Sequence, residues 1–221
     1  MSRSKSKMRQ TCSTMSNALP DGSFRIQRYF KPKAKARDTT FAVLSRSPKD
    51  RPILAASLAG RFLDVGTGVG AMALELAAQC PSAQVVGIDI WEPSLALARA
   101  NVAASLHAAR IEIRAQDVTQ LDEPASYTLA WLPAPFLPRP AADTALDCLA
   151  AALAPNGHLV VGLYAFPPDR FGAALTALRV VRSGGHVWDV DEMERQLRAR
   201  NFVDVESWTN PPTTFMIGRK P

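Results

Sequence analysis

The chain has 221 residues, 47% of them hydrophobic and 21% charged, which fits one folded domain with an extension and excludes a disordered or fibrous protein. The net charge of +6 is unevenly spread: residues 1–51 hold 13 Lys and Arg against 3 Asp and Glu, and the remainder holds 13 against 17. No stretch reaches the roughly 18 consecutive apolar residues of a membrane span, and the first residues lack the apolar block of a secretory signal. Cys12, Cys80 and Cys148 form neither a CxxC pair nor a zinc-ligand spacing. The expectation is a soluble cytoplasmic protein, with no membrane partner and no metal.

In chain order, Met1 to Asn17 is a run of Ser, Thr, Lys, Arg and Met without an acidic residue, and Lys31 to Arg37 is a second basic cluster with a proline inside it. Little there can pack, so residues 1–51 read as a basic, largely irregular extension. A solvated tail is the plain reading, and an arm that neutralises phosphates is the minor one.

From residue 52 to 221 apolar runs alternate with helical patterns, which predicts an α/β domain with a parallel sheet covered by helices. Strands are expected at 61–65, 84–89, 111–116, 127–132 and 158–163. Helices are expected at 70–79, 93–104, 141–154, 168–181 and 190–200. Residues 202–207 and 214–218, separated by Asn210-Pro211-Pro212, read as a terminal hairpin.

The chemistry concentrates after the first strand. In Arg61-Phe-Leu-Asp-Val-Gly-Thr-Gly-Val-Gly70, Gly66, Gly68 and Gly70 stand where a strand passes into a helix. Glycine there permits a tight turn and close approach of a ligand to the helix N-terminus. Asp64 precedes the turn, where dinucleotide-binding turns carry an apolar residue. Asp89 ends the second strand, placed to accept both hydroxyls of a ribose. Asp117 follows the third strand and could accept from an adenine amino group while the Val118 amide serves a ring nitrogen; a simple turn cap is the alternative.

These linked features resemble the class I S-adenosylmethionine-dependent methyltransferases, with the resemblance running from about Arg61 to Arg219. The family pattern of two hydrophobic residues, an acid, a hydrophobic residue and GxGxG is matched by Phe62 to Gly70. The resemblance implies a Rossmann-like sheet of seven strands, mostly parallel with an antiparallel last strand, and helices on both faces. It implies S-adenosyl-L-methionine as cofactor, with Gly66, Thr67, Gly68 and Gly70 forming its turn and Asp64 bracing that turn or the cofactor amine. Asp89 would hold the ribose, and Ile90 and Trp91 would lie beside the adenine.

The fourth strand runs into Trp131-Leu-Pro-Ala-Pro-Phe-Leu-Pro138, where family members acting on base amines or glutamine carry Asn or Asp before Pro-Pro-aromatic. Leu132 stands in place of that polar residue beside the cofactor, which disfavours such acceptors. Trp131, Phe136 and the prolines suggest an apolar, aromatic rim suited to a small, largely hydrophobic acceptor. Residues 184–193 and 200–205 resemble the ending of small-molecule O-methyltransferases, with Asn201 in place of a glycine because Asn accepts left-handed backbone angles. His186 and Tyr164 are the candidates for a base or acceptor-orienting group.

The leading expectation is therefore methyl transfer to a small, largely apolar molecule, with oxygen the favoured acceptor atom and a homodimer left open. Three alternatives stand beside it: a nucleic-acid-modifying methyltransferase using the basic arm, a cofactor-binding module without catalysis, and an NAD-dependent oxidoreductase. The last would use Gly66, Gly68 and Ala71 as a GxGxxA turn, and Asp64 and Asp117 count against it.

Overall fold

A computed structural model describes residues 56–221; the expected extension at 1–51 and its boundary with the domain lie outside the described residues. Seven strands form one sheet: β1 (Arg61–Val65), β2 (Gln84–Asp89), β3 (Ile111–Ala115), β4 (Tyr127–Pro133), β5 (Leu153–Tyr164), β6 (Val203–Asn210) and β7 (Thr213–Arg219). Their spatial order is β3-β2-β1-β4-β5-β7-β6. Strands β1 to β5 pair in parallel, and β7 enters antiparallel between β5 and β6. Five helices follow the strands: α1 (Ala71–Gln79), α2 (Glu92–Ala103), α3 (Arg139–Ala152), α4 (Arg170–Arg182) and α5 (Val190–Ala199).

The central strands are buried on both faces, which explains why they read as unbroken apolar runs. Alternate residues of β1 serve different layers. Leu63 and Val65 join Val86, Ile88, Leu132 and Val161 under α3 and α5. Phe62 joins Val85, Leu129, Trp131, Val160 and Phe215 under α1. The helices meet these layers with matching periodicity: α3 buries Ala142, Ala145, Leu146 and Leu149, and α5 buries Met193 and Leu197.

Local signals set the boundaries. Asp169 accepts from the Gly172 amide to start α4, and Asp189 accepts from the Glu192 amide to start α5. Asn201 ends α5 with φ 63° while the Phe202 amide reaches back to the Leu197 carbonyl, the left-handed C-terminal turn expected of that residue. The largest departure from expectation is β5, which begins at Leu153 instead of His158. Helix α3 runs straight into it, Leu153 pairs with Tyr127, and the ladder shifts register between Tyr127 and Leu129.

The strand order reverses between β1 and β4, so their connections leave in opposite directions and open a crevice at the C-terminal edge of the sheet. The glycine turn, Asp89, Asp117 and the loop after Pro133 all leave the sheet at that edge.

Candidate active site

The turn after β1 is built from three left-handed glycines, Gly66, Gly68 and Gly70, with φ of 70°, 56° and 76°. Other residues pay strain at such angles. Gly66 packs against the Pro133 ring, and Gly70 caps α1 against Ala98 of α2. Gly68 differs: a side chain there would meet no atom nearer than 4.0 Å. The space above its backbone is open, as a bound group approaching the peptide requires.

Asp89 ties this turn to the second strand. Its Oδ2 accepts from the Gly68 amide at 2.9 Å and its Oδ1 from the Trp91 amide at 3.0 Å. The carboxylate is half-buried, and each oxygen retains acceptor capacity for a hydroxyl pair. Ile90 and Trp91 beside it are exposed, at 76% and 45%, leaving apolar surface free to cover a flat ring.

Asp64 and Thr67 lie underneath the turn. Asp64 is buried and accepts from Thr67 Oγ1 at 2.8 Å. Burial pushes its carboxyl up to about 7, with the Thr67 hydroxyl opposing and the Asp89 charge adding to the rise. Of the two parts given to Asp64, bracing the turn is the one its surroundings serve. Thr67 is likewise buried against Gly87, where a Cβ would lie 2.6 Å from the Thr67 hydroxyl. Its side chain supports the loop from below.

Asp117 accepts from both the amide and the hydroxyl of Thr119, and both bonds end on Oδ1. It therefore caps the short 3-10 turn Val118–Gln120 and keeps Oδ2 for another donor. The Val118 side chain is buried beneath it. Leu132 is fully buried in the core layer, so only its backbone can border a ligand.

The aromatic rim needs correction. Trp131 is only 7% exposed; its ring packs 6.0 Å from Phe215 and lies over Gly162, where a Cβ would sit 2.2 Å from the indole. The alternation of β4 sends it into the core, and Gly162 supplies the room. Phe136 remains at the surface with its ring edge-on to Tyr164, 6.1 Å away.

A cavity of about 440 Å³ opens beyond β5, lined by Leu163, Tyr164, Phe166, Trp188, Val190 and Thr214 among others. Burial raises the Tyr164 phenol above its ordinary value, so it stays protonated and can donate. His186 does not line this cavity. Its Nε2 lies 3.4 Å from an Arg139 nitrogen and 3.7 Å from Glu192 Oε2, and its ring stands edge-on to Trp188 at 4.6 Å.

Arg139, which nothing in the sequence singled out, organises this corner. It pairs with Asp143 and Glu192, and its guanidinium lies 4.6 Å over the Trp188 ring. Trp188 is 3% exposed with its Nε1 unpartnered among the described residues. The Gly184-Gly185 turn is pressed on the loop after β4, since a Cβ on Gly185 would lie 1.8 Å from the Pro135 carbonyl oxygen. Among the described residues no cluster of His, Cys, Asp and Glu could hold a metal ion.

The doubly wound sheet with a glycine turn, an acid ending β2 and a cavity at the same edge defines a Rossmann-like nucleotide-cofactor protein. The Methyltransferase domain family matches residues 62–157. A demethylmenaquinone methyltransferase from Thermus thermophilus is 35% identical over 123 residues, 54% of this chain and 53% of the relative. The crystal structure of an S-adenosylmethionine-dependent methyltransferase, SibL, aligns with a TM-score of 0.61 and 25% identity, over 80% of this chain and 56% of that one. A putative O-methyltransferase from Nostoc punctiforme shares the fold with a TM-score of 0.63 at 20% identity, over 88% and 63%. Residues 62–157 thus carry a match to the Methyltransferase domain family, and the fold is shared with S-adenosylmethionine-dependent methyltransferases of known structure. The chain spans no more than about half the length of the curated relatives it matches, and the acceptors in their names range from quinones to glutamine and tRNA adenine.

The residues fit S-adenosylmethionine, the cofactor on which the SibL enzyme depends. Open space over Gly68 and the remaining acceptor capacity of Asp89 suit the methionine and ribose portions, and exposed Ile90 suits the adenine.

Proposed function

We propose that this protein transfers a methyl group from S-adenosylmethionine to a small, largely apolar acceptor, with oxygen as the receiving atom. The cavity beyond β5 carries the reading: about 440 Å³ is a small-molecule volume, and its lining is mainly apolar and aromatic, with Tyr164, Asp189 and Thr214 as its polar side chains. It opens at the C-terminal end of β5, on the same sheet edge as the glycine turn.

Held by the glycine turn and Asp89, S-adenosylmethionine would supply an electrophilic methyl group on a sulfonium. The chain's part is placement. Asp89 fixes the turn and the ribose, the Tyr164 hydroxyl donates to a polar atom of the acceptor, and Phe166 and Trp188 exclude water around it. Holding the reactants in line supplies about 7–11 kcal/mol at its upper range, so a strong base is needed only for an acceptor that must lose a proton. Tyr164 is better placed than His186 to meet the acceptor, and His186 belongs to the clamp that holds the Gly184-Gly185 turn.

Incubation with methyl-labelled S-adenosylmethionine and separate panels of phenols, hydroquinones, bulk tRNA and a release-factor protein tests this. Label in the organic extract is the expected result. Label confined to tRNA or protein overturns the acceptor class while leaving the family intact.

A further inference from the structure

Helix α4 leaves an apolar stripe uncovered. Val180 is its one buried residue, whereas Phe171, Leu175, Leu178 and Val181 are 80%, 38%, 52% and 61% exposed. At about 3.6 residues per turn, Phe171, Leu175 and Leu178 share one narrow face, Ala174 and Val181 adjoin it, and Val180 points the opposite way. Arg170 and Arg179 border the stripe on its two sides and Arg182 follows it. None of the three makes an ion pair among the described residues, and no acidic residue occurs from Arg170 to Trp188.

We propose that this face of α4 rests in the interface of an anionic phospholipid bilayer. Apolar side chains between flanking arginines let the stripe enter the acyl boundary while the guanidinium groups reach the phosphates. Charge argues against a second copy as occupant, because self-pairing through this face brings three arginines from each copy together with only the helix-capping Asp169 of each to offset them. Size argues the same way: four side chains of one helix fall well short of the roughly 800 Å² per partner of a stable protein interface.

No helix among the described residues is long and apolar enough to cross a membrane. The expectation of no membrane partner rested on the same lack of a span, and a helix lying in the interface needs none. The placement also has a consequence for the cavity. Phe166, 37% exposed and four residues before α4, lines its wall, so docking brings that wall near the lipid. The inference goes beyond the acceptor assignment and does not depend on it.

The test is co-sedimentation of the full chain with vesicles of phosphatidylcholine alone and of phosphatidylcholine mixed with phosphatidylglycerol. The expected result is binding that needs phosphatidylglycerol. The triple variant Phe171→Ser, Leu175→Ser, Leu178→Ser weakens it by about tenfold or more, with unchanged thermal melting and cofactor affinity. A second variant, Arg170→Gln, Arg179→Gln, Arg182→Gln, loses the phosphatidylglycerol dependence and covers the case in which the serine variant misfolds. Residues 1–51 are the same in every chain compared, so their basic charge contributes equally. Vesicle binding equal to that of the unaltered chain in both variants overturns the proposal, as does self-association in velocity sedimentation that the serine variant abolishes while vesicle binding stays.

Discussion

Gly68 and Asp89, 21 residues apart, are joined by a 2.9 Å hydrogen bond from the glycine amide to the carboxylate. The same carboxylate receives the Trp91 amide. One side chain therefore shapes both walls of the cofactor crevice before any ligand arrives. Preorganisation of this kind lowers the ordering cost of binding.

Asp89→Ala is expected to weaken S-adenosylmethionine binding by about two orders of magnitude, since hydrogen bonds to a charged acceptor contribute about 1.5–3 kcal/mol each and overlap. Part of that loss comes from the turn itself, which loses both amide bonds. Asp89→Asn keeps one acceptor oxygen and should retain more of the melting temperature than of the affinity. Calorimetric titration beside thermal melting checks this, and unchanged affinity with a native circular dichroism spectrum would remove Asp89 from the ribose site.

Asp64 predicts a pH dependence of stability. Its carboxyl is raised by burial from 3.8 to about 7 in the folded chain, so between those values the folded state holds a proton that the unfolded state has released. Stability falls as pH rises through that window and levels off above about 7. Asp64→Asn removes this slope, leaving the variant nearer to the unaltered chain at pH 4 than at pH 7.5. Urea unfolding at a series of pH values measures it, and parallel curves for the two chains would show that Asp64 does not titrate there.

How much of this was legible in the sequence follows from where the information sits. Strands β1 and β2 carry their own boundaries, because buried parallel strands are short apolar runs closed by Gly or Asp. The glycine turn and Asp89 were legible because spacing along the chain translates directly into position at one sheet edge. The burial of Trp131 was not, since it depends on Gly162 in the neighbouring strand leaving room for the indole. The Arg139 clamp joins residues 53 positions apart, and no local pattern signals that an arginine after a proline will meet a glutamate on α5. The strand start at Leu153 was hidden because helix and strand join there without a breaker.

The Gly184-Gly185 turn offers a paired comparison. Gly184 has φ 81° with open space around it, whereas Gly185 faces the Pro135 carbonyl. Gly184→Ala should cost about 1–2 kcal/mol, the strain of a left-handed alanine. Gly185→Ala forces backbone apart and should cost clearly more, about 3 kcal/mol at the upper end of overpacking, displacing the turn from the loop after β4. Equal melting temperatures for the two variants would contradict the packing described.

Tyr164 and His186 separate orientation from clamping at the acceptor site. The Tyr164 phenol is held protonated by burial and lines the cavity, so Tyr164→Phe removes a donor without removing the ring. Loss of one neutral hydrogen bond, about 0.5–1.5 kcal/mol, corresponds to a drop in kcat/KM of about two- to tenfold for an oxygen acceptor. Cofactor affinity should not change. His186, with its Nε2 turned to Arg139 and Glu192, should behave differently: His186→Ala lowers the melting temperature and leaves turnover within about threefold, well short of the 10²–10⁴-fold that general acid–base catalysis provides. Arg139→Ala removes the clamp's centre and should raise the acceptor KM more than it lowers kcat, because it loosens the cavity wall formed by Trp188. Steady-state kinetics with an acceptor found in the labelled-methyl screen distinguishes these outcomes. If His186→Ala and His186→Gln both lost 10²-fold or more in kcat while melting and binding cofactor like the unaltered chain, His186 would be the base and Tyr164 an accessory. If Tyr164→Phe alone had a kinetic effect, the reaction would run by placement next to a protonated phenol.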